Sequence, residues 1–181
     1  MFAFVIWLGL ICILFTVPGA KAFEWQGSTV QGVPPQNVKQ HPLFRVEWRA
    51  DLPWSWYESR TAGKPSPGLV LGAGVWRGGD RNPGELFITP ELRYEWAATE
   101  QDLQWFVEAG VGRHVLSRTD YAKGGAFSTA FQFGEQLGAG VRFGEKKTQD
   151  LMFLYKRGSN TDIKIPNYGA DFFVLKYGFK M

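Results

Sequence analysis

Beyond residue 22 the sequence contains no cysteine; the chain has one, Cys12, inside its apolar opening segment. Neither a disulfide nor thiol chemistry is open to the rest of the chain. Charge of one sign is also missing: with residues 1–22 set aside, 19 basic residues face 17 acidic ones, so nucleic acid is not an expected partner. No later stretch approaches the ~20 apolar residues of a membrane helix, and a membrane could be crossed only by strands. Helical spacing is absent too, because apolar residues do not recur at three and four and glycines interrupt every segment. No Gly-x-Gly-x-x-Gly opens a helix, which removes a nucleotide loop. No metal or cofactor is expected.

The opening segment combines an apolar run, a Pro18-Gly19 break and Ala20-Lys21-Ala22, which fits a small-residue cleavage site. Residues 1–22 therefore read as a signal peptide and 23–181 as one barrel domain of 159 residues. Its start lacks Lys or Arg, and the rival reading is a retained membrane anchor. Gly9-Leu10-Ile11 before Cys12 makes a poor lipoprotein signal.

What is present throughout is alternation with a period of two. Leu43–Leu52 sets Phe44, Val46, Trp48, Ala50 and Leu52 against Arg45, Glu47, Arg49 and Asp51. Glu85–Trp96 and Leu103–Leu116 repeat the pattern, as do Gly68–Arg77, Phe131–Phe143 and the two last segments, with Phe23–Gln31 a weaker first strand. The sum is about eight strands of roughly ten residues, the size of the smallest outer-membrane barrels. The pentapeptide Leu-Gly-Ala-Gly-Val occurs at 71–75 and 137–141, its glycines opposite the large apolar side chains. A narrow barrel has little room inside, so small residues suit its inner face.

The expected fold is all-β, an eight-stranded antiparallel transmembrane barrel in the bacterial outer membrane. A secreted lipocalin-like barrel has the same alternation with the faces exchanged. The membrane reading rests on bulky groups gathered on one face, on Trp96 and Trp105 flanking the turn 97–102, and on a last strand carrying Tyr177, Phe179 and Met181 on one face. Loops around 78–84, 116–130 and 160–170 then face outside the cell. The 53–67 segment is an unusually long turn on the opposite side.

The final hairpin is the richest in chemistry. Leu151, Phe153, Tyr155, Arg157 and Ser159 share one face, and Asp171, Phe173, Leu175, Tyr177 and Phe179 share one face of the next strand. A serine and a carboxylate thus meet at the top of an apolar surface. Locally, Ser159-Asn160 is good turn chemistry, and Arg157 with Asp171 could be an interfacial salt bridge.

The stretch Arg157-Gly158-Ser159-Asn160, followed by Pro166-Asn167-Tyr168-Gly169 and Asp171, resembles the signature of the PagL-type lipid A 3-O-deacylases. Residues 106–112 and 133–140 are similar to that family as well. The resemblance implies lipid A or lipopolysaccharide as partner and a Ser-His-Glu triad, with Ser159 as nucleophile, residue 171 orienting the histidine and Asn160 near the oxyanion. A homodimer is a candidate assembly.

This chain departs from the pattern at two positions. Asp171 in place of Glu is mild, since a shorter carboxylate still orients an imidazole. Arg157 in place of His is severe, because a guanidinium stays protonated and cannot take the serine proton. His41 and His114 are the substitutes to consider, though a solvated or packed histidine is the plainer reading of each. Lys156 faces the lumen, and Lys164 would have to give up its charge. Two functions follow: a lipid A deacylase-like ester hydrolase, or a non-catalytic lipopolysaccharide-binding barrel using Arg157 and Lys164.

Overall fold

The computed structural model describes residues 25–33, 43–52, 63–77, 81–100, 102–122, 125–165, 167 and 169–180. The expected signal peptide 1–22 and His41 lie outside them. The strands are β1 (Trp25–Val33), β2 (Leu43–Asp51), β3 (Lys64–Trp76), β4 (Gly84–Glu95), β5 (Gln104–Leu116), β6 (Asp120–Ala122), β7 (Gly125–Ala126), β8 (Phe131–Phe143), β9 (Gln149–Ser159) and β10 (Ala170–Lys180). All pairings are antiparallel, and the neighbours run β1-β10-β9-β8-β5-β4-β3-β2 around a closed barrel, with β6 and β7 forming a separate small hairpin.

Alternation decides which face turns inward. On β2, Phe44, Val46 and Trp48 are 40, 47 and 40 % exposed, while Arg45, Glu47 and Arg49 are buried. On β9, Phe153 and Tyr155 point out, while Met152, Leu154 and Lys156 point in. The bulky apolar face is therefore the outer one, and the charges line the lumen.

Those lumen charges are paired mainly between strands, with Arg49–Asp51 and Arg93–Glu95 adding pairs along single ones. Arg93 on β4 donates to Glu108 Oε2 on β5 from Nε at 3.0 Å and Nη2 at 2.7 Å, and reaches Asp150 Oδ2 on β9 from Nη1 at 2.8 Å. Arg142 on β8 bonds the other Asp150 oxygen at 2.7 Å and Glu95 at 2.8 Å. Arg49 pairs with Glu91 at 2.5 Å, Arg45 with Glu85, and Lys176 with Glu47. Burying an ion is expensive unless such partners are in place. A one-residue slip of any strand would turn its charges outward and leave the opposing ones unpaired.

Apolar side chains fill what the ions leave. Phe106, Met152, Leu154 and Val174 are buried in the interior, and the Arg93 guanidinium lies 4.2 Å above the Phe106 ring. The repeated glycines make this filling possible: a Cβ at Gly72 would lie 2.3 Å from Phe87 Cζ and 2.7 Å from the Val46 carbonyl oxygen. At the end of the barrel where β9 meets β10, Trp76, Phe127 and Phe172 form a plug. Trp76 meets the other two edge-on, with centroids 5.8 and 4.9 Å away.

Two elements differ from expectation. β3 begins at Lys64, four residues before Gly68, and its first residues pair with β4 alone, Pro65 opposite Tyr94 and Pro67 opposite Leu92. β2 joins only from Gly68, so the prolines, which lack an N–H, fall where β3 has no strand on that side. The 116–130 loop holds the β6–β7 hairpin and contributes Phe127 to the plug.

Replacing Arg93 by methionine takes from buried Glu108 both of its arginine hydrogen bonds and leaves Asp150 with Arg142 alone. We expect Arg93→Met to lower stability by about 3–5 kcal/mol in urea unfolding of the micelle-bound protein, followed by tryptophan fluorescence. Outward-facing Leu86→Ala, by comparison, should change it little; equal losses would refute the network's role.

Candidate functional site

The rim where β8, β9 and β10 meet gathers the expected residues. In the β9–β10 register, Asp171 stands opposite Arg157 and Ala170 opposite Gly158. In the β8–β9 register, Ser159 stands opposite Phe133 and Arg157 opposite Glu135. Residue 157 is thus directly across from Asp171 and two positions before Ser159 on the same outward face. Asp171 lies diagonally from Ser159, a spacing of roughly 7–8 Å between backbones in an antiparallel pair. A side chain at 157 is the one placed to touch both.

In this chain that side chain has turned wholly toward the carboxylate. Arg157 Nη1 donates to Asp171 Oδ1 at 3.0 Å and to Oδ2 at 3.1 Å. The Tyr155 hydroxyl donates to the same Oδ1 at 2.6 Å. Arg157 is 44 % and Asp171 29 % exposed at the side chain, so this is a half-open ion pair of modest worth, about 0–1 kcal/mol. Gly169 lets it form: its φ is +63°, and a Cβ there would lie 3.3 Å from Arg157 Nη2 and from the Gly158 carbonyl oxygen. Below the pair, Phe173 stacks on Phe153 at 5.8 Å and lies against Tyr155, giving an apolar wall.

Asn160 is placed differently from the other three. Ser159 is half-buried on the outward face, but Asn160 is fully buried and points into the loop. Its Nδ2 donates to Ser128 Oγ at 2.7 Å and to the Lys164 carbonyl at 2.8 Å, and its own N–H donates to Asn167 Oδ1 at 3.1 Å. Both amide hydrogens are spent on holding 160–167 against the 127–129 segment. As folded, Asn160 fixes the backbone around Ser159 and has no donor left for a substrate oxygen.

Of the alternative bases among the described residues, none joins the site. His114 is buried on the lumen side, with Nδ1 2.5 Å from Glu85 Oε1 and its ring stacked on Phe87. Lys156 also faces the lumen, and Lys164 is exposed on the loop. Tyr155 was not among the expected site residues. Parity puts it beside Arg157, but only the cross-strand register brings its hydroxyl to Asp171. Among the described residues no group of His, Cys, Asp or Glu side chains is arranged to hold a metal.

Comparison with known proteins gives matches of different weight. The family model described as lipid A 3-O-deacylase (PagL) matches residues 43–180. Among solved structures, the crystal structure of the outer membrane enzyme PagL superposes with a TM-score of 0.76 at 24% identity, covering 86% of this chain and 99% of that one, which is a likeness of fold. No curated protein sequence matches.

Asn160→Ala should release the loop without unfolding the barrel, since local openings are independent of the global transition. Limited proteolysis within 161–168 is expected to quicken about ten- to a hundredfold, the effect of losing buried hydrogen bonds. Unchanged cleavage would mean that the loop is held by other contacts.

Proposed function

The chain belongs to the lipid A 3-O-deacylase (PagL) family, and from that membership we propose an outer-membrane barrel of lipid A deacylase-like function whose ester chemistry centres on Ser159 and is throttled by Arg157. The observation that carries this reading is the register: residue 157 lies opposite Asp171 and beside Ser159, on the outer face. Lipid A offers ester-linked acyl chains at that level of the membrane. The Phe153, Tyr155 and Phe173 wall gives such a chain an apolar surface to lie on.

In the proposed reaction Ser159 Oγ bonds to the ester carbonyl carbon, and the carbonyl electron pair moves to oxygen. Collapse expels the sugar hydroxyl and leaves an acyl-serine, which water then cleaves. Oγ must lose a proton on attack, and the sugar oxygen must gain one on leaving. A histidine at 157, oriented by Asp171, could do both. A guanidinium can do neither, although its charge can stabilise the oxyanion. Asn160 supports the step by holding the loop backbone in place.

A second reading is favoured by the two basic groups at the rim. Arg157 and exposed Lys164 suit lipid A phosphates, so the same rim serves lipopolysaccharide binding without turnover. Around the site we read an eight-stranded barrel, supported by β1 pairing with both β2 and β10. A signal peptide at residues 1–22 and a homodimer in the membrane complete the proposal.

The test incubates the purified barrel with lipopolysaccharide and follows loss of one hydroxyacyl chain by mass spectrometry. Arg157→His should exceed the wild type by about a thousandfold, and adding Ser159→Ala should abolish that gain. Binding without cleavage by either protein would establish the second reading. Neither cleavage nor binding would refute both.

A further inference from the structure

Behind the rim, on the lumen side of Gly158, lies a cavity of about 10 Å³, room for one water-sized occupant. Lys156 enters from β9, Arg45 from β2, His114 from β5 and Gln132 from β8, each more than nine-tenths buried. Lys156 Nζ, Arg45 Nη1, His114 Nε2 and Gln132 Oε1 have no hydrogen-bond partner among the described residues. Two of these four, Lys156 Nζ and Arg45 Nη1, are buried donors without an acceptor at one cavity, which folded proteins rarely tolerate. We propose that this cavity binds a small monovalent anion of the chloride class.

Charge decides the occupant. Glu85 is the carboxylate lining the cavity, and it is shared: Arg45 donates to it at 2.9 and 2.6 Å, and His114 Nδ1 lies at 2.5 Å. Glu47, which also faces the lumen, pairs with Lys176. Lys156 therefore brings a positive charge with no ion pair of its own. Its ammonium rests 5.1 Å over the Phe87 ring, beside Arg45 at 4.6 Å over the same ring. An unbalanced buried ammonium is costly, and an anion held between Lys156 and Arg45 removes that cost. A water would satisfy Gln132 Oε1 and an unprotonated His114 Nε2, which an anion cannot, but it would leave the buried charge uncompensated, the larger of the two costs. Phosphate, sulfate and carboxylates are too large for the volume. Gly134 belongs to the same arrangement, since a Cβ there would lie 1.9 Å from His114 Nε2.

Two measurements on the full-length barrel in detergent test this. Crystals soaked in bromide should give one anomalous peak beside Lys156 Nζ and Arg45 Nη1. The temperature at which gel mobility becomes heat-modified should rise saturably by about 3–6 °C in chloride over gluconate at matched pH and ionic strength. Lys156→Met should lose that rise. A site without bromide would overturn the proposal in favour of water, whether or not Lys156→Met folds. So would equal temperatures in the two salts, or an undiminished chloride effect in the variant.

Discussion

The Arg93 guanidinium, clamped between Glu108 and Asp150, is the interaction on which the rest of the barrel depends. It joins β4, β5 and β9, which are not all neighbours, and so ties one wall to another across the lumen. Arg142, Arg49 and Lys176 extend the same logic around the interior. Because each ion needs its partner at one depth, strand register is set by charge inside the barrel as much as by hydrogen bonds along its wall. The outer face is left to bulky apolar groups, and that division places a polar rim where β9 and β10 end.

The rim puts a serine, a carboxylate and a charged side chain together on the outward surface. In a serine hydrolase the residue between nucleophile and acid has to accept a proton and return it. Here a guanidinium occupies that place and is held by the acid it faces, with a tyrosine hydroxyl on the same oxygen. The loop that carries the serine onward is anchored independently through Asn160, so its shape does not rest on the ion pair.

Much of this was legible in the sequence because the barrel has two chemically opposite faces. Alternation on Leu43–Asp51 told inside from outside at once, and the parity of Ser159 and Asp171 placed both on the outer face. Pairings between distant strands were not legible: that Arg93 meets Asp150 depends on the stagger of the whole sheet, which no local pattern encodes. The role of Phe127 was hidden for the same reason, since its partners Trp76 and Phe172 come from β3 and β10. The loop contacts of Asn160 were not legible either, because its partners Ser128 and Lys164 are brought to it only by the fold of two loops. The start of β3 was missed because Pro65 and Pro67 look like a turn until the one-sided pairing is known.

The plug of Trp76, Phe127 and Phe172 carries a consequence. Aromatic rings fill one end of the described lumen, with interlocked ions below them. An interior filled in this way is given to holding the wall in shape, which leaves the outer surface to meet the surroundings. Whatever the barrel does to its surroundings, it does sideways, within the plane of the membrane.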